Sequence, residues 1–484
     1  MGYNEAKQEN QMKKQAFNPY LPSYEYIPDG EPYVFNGRVY VYGSHDHYGS
    51  PVFCLNDYVC WSAPVDDLGN WRYEGVSYKR TDDPVNKDGL AVLYAPDVTV
   101  GPDGKYYLYY CLDKYSLVSV AVSDVPQGPF KFYGYVHYAD GTRLGERAGD
   151  EPQFDPGVLT EGDKTYLYTG FCGRGDKSRH GSWGVTLDKD MLTIIEEPVL
   201  VVPGVEYCEG SGFEGHSFFE ASSIRKRGDT YYFIYSSEVM HELCYATSKN
   251  PRGKFTYGGV IVSNCDLGID TYKAAHVPAC YGANNHGSIV EIPCAESGGG
   301  DASGWYIFYH RHTNGDWYSR QGCAEKIAFT EDGKIPQVEI TSCGLNGGPL
   351  KAEGEYPAYI ACNIWTNKPQ AYVAEGFPKI MQECTDGEED LSYITRLYEG
   401  STVGFKYFDF KGVKKITLET RAYANGVFEI RTEPQGKVWG EVKVGYTNFW
   451  VKGSTEVAIP DGVHALYISF KGEGNPQLRK LWFE

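Results

Sequence analysis

One pattern occurs five times in this chain: a polar side chain, a short strand-like run, a turn containing glycine, and a tyrosine-rich strand. The clearest copy is residues 219–238, FEASSIRKRGDTYYFIYSSE, in which Glu220 stands ahead of the turn. Each copy predicts a β-hairpin, because strand formers flank a turn that glycine readily adopts. The other four copies are residues 28–46 (PDGEPYVFNGRVYVYGSHD), 95–113 (APDVTVGPDGKYYLYYCLD), 154–171 (FDPGVLTEGDKTYLYTGF) and 286–313 (HGSIVEIPCAESGGGDASGWYIFYHRHT).

The spacing of the copies predicts a five-bladed β-propeller. Consecutive leading polar residues are separated by 58 to 68 residues, which leaves room for about four strands in each repeat. A propeller brings the first strand of every blade to the central axis, so the leading residues should meet at one mouth. Ordinary hairpins in a β-sandwich are the competing interpretation. The leading residues are Asp29, Asp97, Asp155, Glu220 and His286.

The pattern stops near Gly354, and residues 354–370 read as a connection or as the closing segment of the propeller. From residue 371 the sequence shows short alternating strands that are typical of a small antiparallel β-sandwich. The prediction is therefore an all-β chain with a polar N-terminal tail (1–18), a propeller (19–360) and a sandwich (371–484). The expected sandwich strands are 403–410, 415–423, 427–433, 441–446, 455–460 and 465–472.

Charge and cysteine usage exclude several function classes. The 45 basic and 64 acidic residues give a net charge of −19. That balance disfavours a nucleic-acid surface or binding to an anionic membrane. The 13 cysteines are scattered and form no CxxC pair, which disfavours a disulfide framework and a zinc ribbon. Free thiols, a polar N-terminus and the lack of a long apolar run predict a soluble cytoplasmic protein. They leave the oligomeric state open.

Several carboxyl groups at one axial site suggest acid–base chemistry. Like charges close together raise one another's pKa, so such a cluster is costly unless it is used. A glycosidase needs one carboxylic acid to protonate the leaving oxygen and one carboxylate that activates water or attacks directly. A single Asp ahead of a hairpin could instead be a turn or cap residue, but the shared position across repeats favours a functional site.

The chain resembles glycoside hydrolase family 43 over about residues 19–350. The matching pieces are PDGEP with VYVYGSHD, YAPDVTVGPDGKYYLYY and FEASSIRKRGDTYYFIYS. The middle-blade motif of the family matches Asp155-Pro156, its histidine before the last hairpin matches His286, and its last-blade arginine matches Arg320. The resemblance implies an inverting hydrolase in which Glu220 is the general acid and Asp29 the general base. It further implies that Asp97 modulates the pKa of the acid and orients the sugar.

Substrate binding is expected from Phe154, Asp155, His286 and Arg320. The family usually has the base Asp directly before Pro, whereas here Glu31 precedes Pro32. The distance to the matching strand tyrosine favours Asp29, because Asp29 to Tyr40 is 11 residues, as in the third and fourth repeats. Phe154, Phe219 and Trp61 could form an apolar wall for a sugar ring, or simply pack.

The sequence contains two candidate metal sites. The resemblance implies that His286 helps to hold a structural calcium ion or a water cluster at the axis; the alternative is a hydrogen-bonded histidine. Calcium prefers oxygen ligands, so a lone imidazole would be unusual. The run His45-Asp46-His47 suggests zinc, but no third ligand is positioned by the sequence. No cofactor is expected for the chemistry itself.

The predicted sandwich weakly resembles a family 6 carbohydrate-binding module. Trp439, Tyr446 and Trp450 could offer a sugar platform, or the domain could brace the propeller. For the whole protein we expect an exo-acting α-L-arabinofuranosidase on pentose-containing oligosaccharides. A β-xylosidase, or an enzyme with both activities, is the close alternative. A non-catalytic sugar-binding propeller is the alternative from a different class.

Overall fold

Five sheets follow one another between Glu31 and Ile327 and confirm the predicted five-bladed propeller. The computed structural model describes residues 15–293, 303–368, 370–383 and 391–484. Four sheets are antiparallel and four-stranded, and the fifth has three strands among the described residues. The strands are β1 Glu31–Phe35, β2 Arg38–Tyr42, β3 Tyr58–Pro64, β4 Arg72–Tyr78, β5 Asp97–Val100, β6 Tyr106–Tyr110, β7 Ser119–Ser123, β8 Lys131–Tyr135, β9 Gly157–Glu161, β10 Lys164–Thr169, β11 Gly181–Leu187, β12 Ile194–Pro203, β13 Phe218–Arg227, β14 Thr230–Ser237, β15 Glu242–Ser248, β16 Thr256–Ser263, β17 Ile289–Ile292, β18 Gly304–Arg311 and β19 Gln321–Ile327.

The first strands of the blades contact one another around the axis. Strand β9 packs against both β5 and β13, and β1 packs against β17. A parallel bridge joins Gly30 to Gly287, and the hydroxyls of Ser223 and Ser288 lie 2.7 Å apart. Residues just ahead of these strands are therefore brought to one end of the propeller, as the repeat pattern predicts.

Residues 18–20 pack along β19 of the last blade. The Tyr20 amide donates to the Gly322 carbonyl at 3.2 Å. The Asn18 side chain donates to the Ala324 carbonyl and accepts from the Ala324 amide, both at 2.9 Å. Asn18 is fully buried. The predicted boundary at residue 18 is therefore wrong, because the chain is already packed along β19 at that position.

The second domain begins earlier than predicted. Residues 350–365 carry three short strands that pair with the C-terminal sheet, so they do not close the propeller. Four short 3-10 helices complete the secondary structure of the described residues: Arg80–Asp82, Pro84–Asn86, Gly344–Asn346 and Ala358–Ile360. The strands of this domain are β20 Leu350–Lys351, β21 Gly354–Pro357, β22 Asn363–Trp365, β23 Lys379–Gln382, β24 Ser392–Thr395, β25 Thr402–Phe410, β26 Lys415–Arg431, β27 Gly440–Val444, β28 Thr447–Glu456 and β29 Gly462–Phe483.

Two strands of the sandwich-like domain are much longer than the sequence pattern predicts. Strands β26 and β29 pair from Ile416 to Arg431, with one register shift between Glu419 and Thr420, and run through positions where the sequence predicts turns. Glycine makes this continuity feasible. A Cβ on Gly426 would lie 2.3 Å from the Lys471 carbonyl oxygen, and Gly472 has a φ of +148°. Glycine at such positions thus marks close backbone approach within a continuing strand as well as chain reversal.

One hydrophobic core extends from the propeller into the second domain. It joins Ile234 and Ile307 of the fourth and fifth blades to Phe405 and Leu466 of the sandwich-like domain. Beside it, the buried ammonium of Lys406 lies 3.2 Å from carboxylate oxygens of both Asp266 and Glu339. This continuity supports a bracing role for the second domain.

Membrane and disulfide features are absent from the described part of the chain. No helix there is long and apolar enough to cross a bilayer. Each cysteine within the same residues is a free thiol, and all but Cys343 are buried.

The shared core predicts that the two domains unfold together. Phe405→Ala should destabilise the protein by about 3–5 kcal/mol, because Phe405 is fully buried in that core. We expect one calorimetric transition at a lower Tm, with the propeller's activity lost at the same temperature. Phe449→Ala is the control, since Phe449 is 77% exposed. A propeller that keeps its Tm while the second domain melts separately would contradict this coupling.

Candidate active site

A cavity of about 520 Å³ opens where the first strands of the blades begin. Four of the five leading residues of the repeats line it, and the fifth, Asp97, does not. Its volume lies in the range typical of small-molecule sites. The titratable side chains among its lining residues include Asp29, Asp155, Glu220, His286 and Arg320.

The backbone at the pocket is held in uncommon conformations. Asp29 and Asp155 have φ values of +59° and +44° and share a position just ahead of β1 and β9. Glu220 lies inside β13, where the pairing with β14 shifts register on both sides of it, and Ala221 has a φ of +70°. Asp tolerates this left-handed region better than most residues, and bulges commonly re-aim a side chain next to active sites.

Asp29 is held as a carboxylate by a buried arginine. An Nη atom of Arg320 donates to Asp29 at 3.0 Å, while its Nε and other Nη bind Asp46 at 2.9 and 3.0 Å. The Asp29 amide donates to Nδ1 of His310 at 3.3 Å. Burial alone would raise the pKa of Asp29, but the charge of Arg320 outweighs it and holds that pKa well below its usual range.

Glu220 has the opposite environment. It is buried, and neither a salt bridge nor a side-chain hydrogen bond to it is found among the described residues. Burial and then the negative charge of Asp155 raise the pKa of Glu220 to about 8. The side chain is therefore a protonated carboxylic acid at neutral pH. One cavity thus holds a permanently ionised carboxylate and a proton-bearing carboxyl, which is the division that acid–base glycosidases use.

His286 lies between two carboxyl groups. Its Nδ1 is 3.5 Å from Asp155 and its Nε2 is 3.8 Å from Glu31. Burial would lower the pKa of His286, but these acids raise it well above its usual value, so the ring carries a positive charge. The ring is thus held between two acids, and the structural calcium ion that the family resemblance implies near His286 stays a prediction.

The register of the second blade explains why Asp97 is not in the cavity. Tyr33 pairs with Tyr40 in the first blade, Thr99 with Tyr107 in the second, and Leu159 with Tyr166 in the third. Counting back four residues from each inner-strand partner gives Asp29, Ala95 and Asp155, and all three line the cavity. Asp97 instead corresponds to Glu31. The turn between β5 and β6 spans residues 101–105, whereas the turn between β1 and β2 spans only residues 36–37. The number of residues between an acid and the strand tyrosine therefore does not locate the equivalent position in the second blade.

Asp97 and Glu31 belong to a buried polar network outside the cavity lining. The Tyr33 hydroxyl donates to Asp97 at 2.6 Å, and the Val158 amide does so at 2.8 Å. Arg225 donates to Glu31 at 2.6 Å and lies over the ring of Tyr33 at 4.3 Å. Burial and the neighbouring charge of Glu31 raise the pKa of Asp97 to about 7. The predicted role of Asp97 in tuning the acid and orienting sugar does not fit this location; Asp155 occupies the position that influences Glu220.

An aromatic wall lines one side of the cavity. The rings of Phe154, Phe171 and Phe219 follow one another at centroid distances of 5.2 and 5.1 Å, and Tyr94 packs against Phe154 at 5.2 Å. Phe154 and Phe219 were predicted, whereas Tyr94 and Phe171 were not.

Two further aromatic residues of the cavity lining, Phe53 and Trp317, have no sequence signal. Phe53 lies 4.8 Å from the Arg320 guanidinium, and Trp317 also lines the cavity. Both come from irregular loops, where no repeat marks a position. For Trp61 the packing alternative holds, because the side chain is buried in β3, lies outside the cavity lining, and donates from Nε1 to Glu25 at 2.6 Å.

The His45-Asp46-His47 run does not converge on a metal. His45 lies 2.9 Å from the Asp57 carbonyl, His47 lies on the surface beside the Tyr48 carbonyl, and Asp46 binds Arg320.

In the second domain, Tyr446 is exposed, but Trp439 donates to Thr432 at 3.1 Å and packs on the core. The guanidinium groups of Arg421 and Arg479 each lie 4.4 Å from the centre of the Trp450 ring. Only Tyr446 of these three aromatics presents an open ring.

An axial cavity that pairs an ionised carboxylate with a carboxylic acid contains the two groups that glycoside hydrolases use. Residues 27–335 match the sequence model of the glycosyl hydrolases family 43, and the chain belongs to that family. Residues 378–484 match the carbohydrate binding module family 6. A protein called xylosidase/arabinosidase from Thermoclostridium stercorarium is 62% identical over 97% of this chain and 99% of its own length. Another of that name from Bacteroides ovatus is 29% identical over 66% of this chain and 97% of its own length.

Solved structures show the same architecture. A family 43 β-xylosidase/α-arabinofuranosidase from a compost microbial metagenome, in complex with xylotriose, superposes with a TM-score of 0.50 at 29% identity. It covers 66% of this chain and 96% of its own. An arabinoxylan arabinofuranohydrolase from Bacillus subtilis covers 96% of this chain and 97% of its own, with a TM-score of 0.51 at 21% identity. At that identity the likeness concerns the fold alone.

The pKa of Glu220 predicts the alkaline limb of the pH profile. An acid is active below its pKa, so kcat/KM should fall tenfold per pH unit above about pH 8. Asp29 has a depressed pKa, stays ionised and should add no limb near neutrality. Glu220→Gln should remove the alkaline limb and abolish most turnover on alkyl glycosides. Its activity should partly return on dinitrophenyl glycosides, whose leaving group needs no proton. An unchanged alkaline limb in Glu220→Gln would contradict the assignment.

The register correction predicts different effects for two isosteric changes. Asp155→Asn removes the charge that raises the pKa of Glu220, so the alkaline limb should move to lower pH and kcat should fall at least tenfold. Asp97→Asn should leave that limb in place and act mainly on Tm, because Asp97 lies outside the cavity lining. Steady-state pH profiles and thermal melts of both variants separate the effects. A displaced limb in Asp97→Asn with none in Asp155→Asn would reverse the assignment.

Proposed function

We propose that this protein is an exo-acting α-L-arabinofuranosidase that hydrolyses arabinoxylo-oligosaccharides with inversion, with β-D-xylosidase activity as the close alternative. One observation carries the hydrolytic mechanism: Asp29, with a depressed pKa, and Glu220, with a raised pKa, line the same cavity. The pentose substrate is supported by the 62% identical relative, whose name includes both xylosidase and arabinosidase.

In the proposed reaction, the Glu220 carboxyl protonates the glycosidic oxygen as the bond from that oxygen to the anomeric carbon breaks. Asp29 takes a proton from a water that attacks the same carbon from the opposite face. The products are a free pentose of inverted configuration and the alcohol of the leaving chain. Glu220 ends as a carboxylate and Asp29 as an acid, and exchange with solvent restores both.

The remaining pocket residues receive supporting roles. Asp155 keeps Glu220 protonated through its negative charge, and His286 holds Asp155 in place. Arg320 keeps Asp29 ionised and is itself held by Asp46. The aromatic wall offers apolar surface to the hydrophobic face of a pentose ring. A cavity of about 520 Å³ supports action at a chain end or on a side group. None of these steps requires a cofactor.

The xyloside alternative rests on specific observations. The relatives from Thermoclostridium stercorarium and Bacteroides ovatus carry both activities in their names, and the compost enzyme was crystallised with xylotriose. One enzyme with both activities is therefore the form of the alternative that we favour. A propeller that only binds sugars is disfavoured by the low and high pKa values retained at Asp29 and Glu220.

We also propose a reducing cytoplasmic location, which the buried free thiols support. In that location the substrates would be short oligosaccharides rather than intact polymer. For the second domain we propose bracing first, on the strength of the core that it shares with the propeller.

A parallel assay tests the proposed specificity. We expect wild-type protein to hydrolyse both nitrophenyl α-L-arabinofuranoside and nitrophenyl β-D-xyloside, with the higher kcat/KM on the arabinoside. Proton NMR of the first product should show the inverted anomer. Glu220→Gln controls for contaminating enzyme. A higher kcat/KM on the xyloside would make the alternative primary. No hydrolysis of either substrate by folded protein would overturn the proposal.

A further inference from the structure

We propose that His216, Glu242 and Cys244 form a site for a zinc-class divalent cation on the fourth blade. Nδ1 of His216, a carboxylate oxygen of Glu242 and Sγ of Cys244 all lie within 4.8 Å of one another. Elsewhere in the described ranges, no three His, Cys, Asp or Glu residues bring ligand atoms so close. None of the three residues lines the axial cavity. The site is therefore separate from the glycosidase centre.

The fold positions all three ligands. Glu242 and Cys244 are two residues apart in β15, so their side chains project from the same face of the strand. His216 comes from the loop before β13. The Tyr235 hydroxyl donates to the His216 carbonyl at 2.6 Å, and the His216 ring stacks on Tyr257 at a centroid distance of 5.0 Å with an interplanar angle of 11°. These contacts fix the imidazole in front of the strand.

The distances are close to those of a zinc site. Tetrahedral zinc places nitrogen, oxygen and sulfur ligands roughly 3.3–3.6 Å apart, given Zn–N and Zn–S bonds of about 2.0–2.3 Å. Cys244 Sγ is 3.4 Å from Glu242 and 4.0 Å from His216 Nδ1. The His216–Glu242 separation is 2.6 Å, a hydrogen bond. A bound cation would replace the shared proton and lengthen that contact by less than about 1 Å.

The ligand types select the cation. Calcium and magnesium bind oxygen ligands, whereas a thiolate with an imidazole and a carboxylate suits zinc or cobalt. Thiolate and carboxylate together would balance the charge of a divalent ion. Ser237 donates to the ligating oxygen of Glu242 at 2.6 Å and would orient it, as hydrogen bonds around metal ligands commonly do.

Access is provided by the histidine. The side chain of His216 is 37% exposed, whereas those of Glu242 and Cys244 are buried. A cation can therefore enter from the solvent side, and a water molecule can fill the fourth position. Bound there, the ion would link β15 to the loop before β13. His216, the ligand in that loop, lies four residues ahead of Glu220. We expect it to stabilise the folded protein rather than to take part in hydrolysis.

The test is metal binding by chelator-treated full-length protein. Wild type should bind one equivalent of zinc in a calorimetric titration, and its Tm should rise with zinc concentration. Cobalt should give a thiolate-to-metal charge-transfer band. Because Cys244 must lose its proton, affinity should increase with pH. His216→Gln and Cys244→Ser should weaken binding at least tenfold. Cys60→Ser, which changes another buried thiol, should not.

His216→Gln keeps the test decisive if Cys244→Ser fails to fold, because His216 is partly exposed. Three results would overturn the proposal. These are no zinc binding by wild type at millimolar concentration, unchanged affinity in both ligand variants, or a cobalt complex without a thiolate band. Activity is not the readout, so failure of the glycosidase assignment would leave this result unaffected.

Discussion

Burial of three carboxyl groups at one end of the propeller axis is the constraint on which the active site depends. Each must gain a cation or keep its proton, because an unpaired buried charge is expensive. Asp29 is paired with Arg320, and Asp155 lies beside the protonated His286. No cation is paired with Glu220 among the described residues, so it retains its proton. Because Arg320 and His286 are the two cations beside these three acids, Asp29 is left as the carboxylate and Glu220 as the proton donor.

The scaffold keeps this distribution fixed. Arg320 is held by Asp46 through one hydrogen bond from its backbone amide and two from its guanidinium, and its remaining Nη atom donates to Asp29. Glu31, Arg225 and Asp97 form a second buried network outside the cavity, in which Arg225 pairs with Glu31 and Asp97 accepts hydrogen bonds from the Tyr33 hydroxyl and the Val158 amide. The inner strands that carry these residues contact one another directly, which leaves little freedom for the carboxyl groups to rearrange. Preorganisation of this kind is the main contribution that a rigid propeller makes to acid–base chemistry.

The sequence predicted most of this arrangement because the five repeats share one pattern. A spacing of 11 residues between the acid and the matching strand tyrosine located Asp29, Asp155 and Glu220, and the order of the hairpins predicted the blades. The same residue count gave the wrong position in the second blade, because the turn between β5 and β6 is longer than the corresponding turns of the first, third and fourth blades. Only the hydrogen-bond register of β5 and β6 shows that Ala95, and not Asp97, occupies the position that lines the cavity. Phe53, Trp317 and Asp46 come from loops or strand ends with no periodic signal. Their contact with the site depends on packing between segments about 270 residues apart, as with Asp46 and Arg320.

The second domain illustrates a different limit. Its glycines at 426, 472 and 474 look like turn signals, but they permit two long strands to pass close to each other. Likewise, the start of the domain at Leu350 is invisible in the sequence, because the short strands β20–β22 are recognised only by their partners in β25 and β29. Local pattern therefore gave the class of this domain but not its boundaries or strand lengths.

The protonation state of Glu220 tests the account most directly. Difference infrared spectra of wild type against Glu220→Gln, recorded over a pH titration, report the carboxylic acid carbonyl of that one residue. The account predicts a protonated Glu220 at pH 7, with a midpoint at about 8 that falls in Asp155→Asn. A midpoint near the ordinary glutamate value of 4.5, unaffected by Asp155, would contradict it.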